Sequence, residues 1–306
     1  MERPDSHPNI SVLDPITPAV ERVRSLLFAP FAFGRWLAVG FAAWLAVLGR
    51  QETANGVGYL AGKLRRSGGV EDLARQTQQW LIDAPATLLK GMVLGVAAFV
   101  LFGLLGLWLS SRGRFILLNC VARNTCRLAG AWRESAAQAN SLFLFRLCLG
   151  MLGCAVFVLP IAVILIQTYH LLGAQSLQHE RVLVIAACAV GCLILLAGVL
   201  LIGKLTNDFV VPVMYRHKIN VLAAWGRTAS MLGSAIGAAV GYVLFQILLQ
   251  TIIGAIGVIA LLATCGIAAV PYVGTVLLLP LIVFDRAYSI CFLEQFGEES
   301  RSIRKP

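Results

Sequence analysis

The sequence predicts an all-α integral membrane bundle of about six transmembrane helices, with amphipathic helices lying at its interfaces. Three observations predict it. Of 306 residues, 58% are hydrophobic and only 13% charged, about half the charged share that a water-facing domain carries. The mean hydropathy is +0.81. The charges are also clustered, leaving apolar tracts of roughly 20 residues, the length that crosses a bilayer's hydrocarbon. Disordered, collagen-like and disulfide-scaffold classes are excluded by the same composition.

The first predicted span covers 29–48, with Arg35 near its start able to snorkel to the headgroups. The second lies between Lys90 and Arg112, the third runs over 147–166 after Arg146, and the fourth lies between Arg181 and Lys204. Between Arg227 and Asp285 there are 57 consecutive uncharged residues. That is too long for one helix and suits two, with a tight turn over 264–271. The predicted organisation is an N-terminal segment (1–28) with an interfacial helix, a six-helix domain (29–293) and a C-terminal tail (294–306).

Lysine and arginine collect on the cytoplasmic side of membrane proteins. With six spans, 18 of the 25 basic residues fall on the side shared by both termini. Both termini are therefore expected in the cytoplasm, of a bacterial inner or plasma membrane. Lys63, Arg65 and Arg66 in the first external loop erode the bias, and a five-span arrangement would put the tail on the far side. The first residues, with Glu2 and Asp5, lack a basic n-region, so no cleavable signal is expected. Cysteines are expected as thiols: Cys120, Cys126 and Cys291 fall on the reducing side, and the other five fall in or beside spans. Cys188 and Cys192, at i and i+4, read as small apolar filler rather than metal ligands, having no histidine or carboxylate nearby.

Trp36, Trp132 and Trp225 are spaced by 96 and 93 residues, each at the entrance to an apolar span. The 93-residue offset also matches Arg123 with Arg216, Ala131 with Ala224, Ala136 with Ala229 and Ser141 with Ser234. This pattern suggests three tandem two-helix units in parallel repeat. Ahead of the first tryptophan, Thr17 can cap a helix with Pro18 at its first position. Val20, Val23 and Leu27 would form its apolar face against the membrane surface. Phe115, Leu118 and Val121 make a looser version, and Val70, Leu73, Thr77 and Trp80 line an external one. Gly233, Gly237 and Gly241 recur every four residues, a stripe that lets helix backbones approach, more within the chain than between copies.

Ionisable groups at membrane depth are functional candidates. Asp285 and Arg286 lead, with Asp208 and Lys204 at the end of the fourth span as partners. Either the last helix runs through and holds the pair in the inner leaflet, or it ends near Phe284 and the pair marks the interface. Arg146 reads as a snorkelling residue. Gln246 and Gln250 add polar positions in the last helix pair and suit interhelical hydrogen bonding better than a substrate path. Catalytic motifs are missing. His179-Glu180 lacks the second histidine of a metalloprotease helix, Val57 breaks a phosphate-binding loop before Gly62-Lys63, and no Gly-x-Ser-x-Gly elbow occurs. No cofactor and no metal are expected.

Arg114, Arg123, Arg127, Arg216 and Lys218 line the basic side close to the bilayer, where each adds about 1 kcal/mol of attraction to anionic lipid. Membrane lipids with anionic headgroups, and a membrane-protein partner, are the expected partners. Nucleic acid is not.

Four stretches carry a resemblance: Val20-Glu21-Arg22-Val23-Arg24 leading to Gly34-Arg35-Trp36, residues 140–146 (NSLFLFR), residues 208–215 (DFVVPVMY) and residues 292–297 (FLEQFG). In these the chain resembles uncharacterised bacterial multi-pass membrane proteins. It is more distantly similar to the helical membrane domain found with glycerophosphodiester phosphodiesterases. The 306 residues hold nothing like the catalytic domain of those enzymes, so the resemblance implies a helical membrane protein without an assigned reaction. The leading expectation is a non-enzymatic assembly or lipid-interacting component. A transporter or permeation protein using the last helix pair comes second, and a lipid-modifying enzyme with Asp208 or Asp285 as base third.

Overall fold

Helices make up all the regular structure of the described residues, and no strand occurs among them. The structure is a computed structural model and describes residues 10–29, 31–48, 86–126, 128–172 and 179–296. In order these are α1 (Ile16–Val23), continued by a π-turn (Arg24–Phe28), α2 (Phe33–Val47), α3 (Ala86–Arg123), α4 (Leu128–Glu134) and α5 (Ala136–Leu172). Then come α6 (His179–Leu205), a second π-turn (Thr206–Val210), α7 (Val211–His217), α8 (Val221–Ser234), α9 (Ile236–Ala263), α10 (Pro271–Leu277) and α11 (Leu279–Leu293).

Four stretches are long and apolar enough to cross a membrane: Leu88–Arg123, Ala136–Val156, Ala186–His217 and Ile236–Ala263. Their outer surfaces are apolar and open, as at Val93, Phe99, Met151, Leu193, Ile194, Leu248 and Leu262. So much exposed hydrocarbon is foreign to a water-facing protein. The core sits elsewhere, at one end of the molecule, here termed basal. There the C-terminal ends of α3, α6–α7 and α11 meet α1, α8 and the start of α5, burying Phe115, Leu118, Leu142, Phe209, Met214, Ile290 and Phe292. A helix of 38 residues such as α3 is about 57 Å long at 1.5 Å per residue. It therefore has length for both an apolar crossing and this basal core.

Prolines set several boundaries. Ala29, which precedes Pro30, is extended (φ −128°, ψ 96°), so the first apolar helix starts at Phe33 rather than at 29. At 15 residues α2 is shorter than the expected 29–48 span. The turn expected over 264–271 is present between α9 and α10. The last apolar stretch then breaks at Leu278, because Pro280 has no N–H for the Val276 carbonyl. That carbonyl instead accepts from the Trp36 indole at 3.4 Å. Past the break α11 continues to Leu293, so it does not end at Phe284.

Other expectations need correction. The first helix starts at Ile16, behind Pro15, with no side-chain cap from Thr17. Val20 faces outward, while Ala19, Val23, Leu26 and Leu27 are buried. The segment is clasped to α11 and the residues after it: Arg22 bridges Glu294 at 2.7 Å, and Ser11 and Gln295 exchange hydrogen bonds at 2.9 Å. It docks on the bundle rather than simply lying along a surface. Arg146 does not snorkel, for its guanidinium donates to the hydroxyls of Ser110 (3.2 Å) and Ser111 (3.1 Å) on α3. Cys120 and Cys126 form a disulfide, because the chain turns sharply at left-handed Asn124 (φ 53°) and brings their Cα atoms to 4.5 Å.

The glycine stripe is not one stripe. Ala235 leaves helical geometry (φ −142°, ψ 56°) and separates α8 from α9, leaving Gly233 on one helix and Gly237 on the next. Both face open space among the described residues, and only Gly241 meets a neighbour, the Val12 side chain. Close backbone approach occurs instead between α2 and α3. A Cβ on Gly113 would lie 2.5 Å from the Ala46 nitrogen and the Leu45 carbonyl carbon. Ser110 donates to the Ala46 carbonyl at 3.0 Å. The expected external helix around Trp80 lies outside the described residues.

Candidate functional site

The second π-turn organises a buried polar network. Pro212 follows it and cannot donate a backbone hydrogen bond to the Asp208 carbonyl, so the helix widens before resuming as α7. Lys204 and Asp208 stand one turn apart and pair at 2.8 Å. Lys204 also donates to the Gln246 side-chain oxygen at 3.2 Å. The Gln246 amide donates in turn to the Tyr242 hydroxyl at 3.0 Å, one turn back on α9. From α11, Arg286 donates to the Asn207 carbonyl, and the Asn207 amide donates to Asp208 at 3.1 Å. Thr206 accepts from the Trp225 indole at 3.2 Å, which ties α8 to the same turn.

Aromatic rings seal this network. Tyr242 lies 4.6 Å from both Phe209 and Phe292 and stacks on Tyr288 at 5.7 Å. The Tyr288 hydroxyl donates to the Val12 carbonyl at 2.9 Å, so the N-terminal segment covers the network's flank. Asp208 is 2% exposed and Arg286 6%. Two cations (Lys204, Arg286) and two carboxylates (Asp208, Asp285) balance, which lets the charges sit in a low-dielectric interior. The arrangement joins α6, α9 and α11 electrostatically. No group of three metal-ligating side chains occurs among the described residues.

Lys204, Asp208, Gln246 and Arg286 thus converge. Asp285 is half-buried beside Arg286, and Gln250 is half-buried one turn beyond Gln246. Tyr242, Asn207 and Thr206 escaped sequence reading. The Tyr242–Gln246 spacing of one helical turn was the available signal.

The basic residues divide in two. Arg112 is buried, held between the Trp108 and Trp132 rings at 4.6 and 4.9 Å. Arg114 is half-buried on α3. Arg123 makes an exposed ion pair with Glu134 at 3.4 Å. Arg127 lies outside the described residues. At the α7–α8 corner Arg216 is half-buried, Lys218 and Arg227 are exposed, and the Lys218 ammonium lies 5.0 Å from the Tyr215 ring.

Residues 10–299 match the model of a family of unknown function, DUF7544. The chain belongs to this family. The DUF7544 match takes in the basal core, the polar network and all four long apolar stretches. No curated protein and no solved structure matches the chain.

Proposed function

We propose that the protein is a multi-pass component of a bacterial inner membrane, non-enzymatic, with assembly or lipid contact as its role. In this reading the basal end lies at the cytoplasmic headgroups with both termini inside. The observation that carries it is the division of charge at the basal end. The ionisable groups at the foot of α6, α9 and α11 are consumed in a packed, balanced internal network, whereas Lys218 and Arg227 stay on the outer rim. Anionic lipid is the partner such a rim attracts, and a membrane-protein partner suits the apolar flanks. The distant likeness to the membrane domain of glycerophosphodiester phosphodiesterases fits lipid contact and supplies no reaction.

Copurification from native membranes with lipid and protein mass spectrometry tests the role. Retained lipid enriched in anionic species over the bulk membrane is the expected result, and bulk composition with no bound partner would overturn it. Orientation has its own test. A cytoplasmic basal end puts the Cys120–Cys126 pair, bonded in the structure, in a reducing compartment, so this orientation requires growing cells to hold the pair reduced. Mass-tag labelling after rapid acid quench reads this directly, and a pair oxidised at steady state would reverse the orientation.

A transport reading is favoured by one observation, the Lys204–Asp208 pair leading to Gln246 and Tyr242 on an otherwise apolar helix. An enzymatic reading is weaker, since Asp208 is buried and already paired with Lys204.

A further inference from the structure

The 93-residue offset superposes two basal corners in more than sequence. Residues 115–121 and 208–214 are buried without exception. Each stretch then reaches a left-handed residue, Asn124 or, one position later than the offset gives, Lys218, followed by a helix bearing Trp132 or Trp225. Ala131 and Ala224 are buried in these helices, and so are Ser135 and Thr228. The corners are therefore two copies of one local structure, and their differences can be read position by position.

One difference reverses a charge. In the first corner Arg123 pairs with Glu134, eleven residues on. In the second, the equivalents are Arg216 and Arg227, so the acid that neutralises the first arginine is itself an arginine. Among the described residues no carboxylate pairs with Arg216, Lys218 or Arg227. One guanidinium nitrogen of Arg216, Nη1, is buried with no acceptor. Nearby, Lys218 is held over the Tyr215 ring, whose hydroxyl is fixed by Asn119 at 2.8 Å.

We propose that the α7–α8 corner, through Arg216, Lys218 and Arg227, is a binding site for a phosphate ester, and that the α3–α4 corner is its self-neutralised counterpart. Arginine presents a planar fork that matches phosphate oxygens two at a time, and lysine adds a point charge. A phosphate there supplies the negative charge that no carboxylate among the described residues brings to this corner. The ligand is either a phospholipid headgroup or a soluble phosphate ester. The lipid source rests on the reading that the basal end meets headgroups; the site itself does not.

Native mass spectrometry of the full chain in detergent, titrated with phosphatidylglycerol, phosphatidylcholine and glycerol phosphate, tests the proposal. Both variants lie at exposed positions. Arg227→Glu installs the acid of the first corner and is expected to weaken phosphatidylglycerol binding about tenfold. Glu134→Arg removes that acid and is expected to add a second binding event. A preference for phosphatidylglycerol over phosphatidylcholine that survives Arg227→Glu within about twofold keeps the headgroup reading and overturns this site. Glycerol phosphate binding that Arg227→Glu abolishes, with no lipid preference, keeps the site and overturns the headgroup reading. Binding of neither overturns the proposal.

Discussion

Gly113→Leu is expected to lower the detergent-solubilised fold's thermal midpoint sharply or to abolish accumulation. The cause is distance. Where Gly113 faces α2, the first side-chain carbon would already stand 2.5 Å from backbone atoms of Leu45 and Ala46, and no rotamer moves a backbone. Opposing this, replacing a helical glycine gains about 1 kcal/mol of helix propensity. Overpacking a filled site costs about 1–3 kcal/mol, and the obstacle here is backbone rather than flexible side chain, so the cost wins. Separating α2 from α3 also stretches the Ser110–Ala46 hydrogen bond. Gly113→Ala should show the same sign at smaller size. Gly237→Leu is the control, because that glycine faces open space and is expected to lie within about 0.5 kcal/mol of the parent. Equal stability for Gly113→Leu and Gly237→Leu would refute the close approach.

That contrast shows where sequence reading reached and where it stopped. Every four residues, glycine marked 233, 237 and 241, and the period is helical only if one helix carries all three. The break at Ala235 carries no proline or other local signal, so the stripe looked continuous. Gly106, Ser110 and Gly113 hold the same kind of spacing, yet Arg112 and Arg114 flank Gly113 and hid it as a charged edge. By contrast, the turn after α9 was legible, since 57 uncharged residues cannot form one crossing. The boundaries that prolines dictate are local chemistry, following at Pro30 from the restriction on Ala29 and at Pro280 from the missing donor for the Val276 carbonyl. Compartment alone predicts thiols at Cys120 and Cys126, while their pairing follows from a left-handed turn at Asn124. Ionisable residues near apolar tracts drew attention by their cost. Tyr242 did not, for a tyrosine in an apolar run looks like ordinary filling until Gln246 is set one turn away.

The polar network yields the second large effect, and it separates scaffold from transporter. Asp208→Asn removes one charge from a balanced set, leaving Lys204 and Arg286 against Asp285 alone. Breaking a buried ion pair costs about 3–5 kcal/mol. The Lys204 side chain keeps 23% of its exposure, so about 2–3 kcal/mol is expected here. Lys204→Met combined with Asp208→Leu removes both members of the pair and should recover most of that loss, because an apolar pair of similar volume avoids the desolvation cost altogether. Proteoliposomes carrying parent or double variant under an imposed pH gradient supply the functional half. If the network is structural, both leak protons no faster than empty vesicles. A proton flux present in the parent and absent from a stable double variant would mean that Lys204 and Asp208 carry charge rather than merely hold α6, α9 and α11 together, and the transport reading would displace the scaffold.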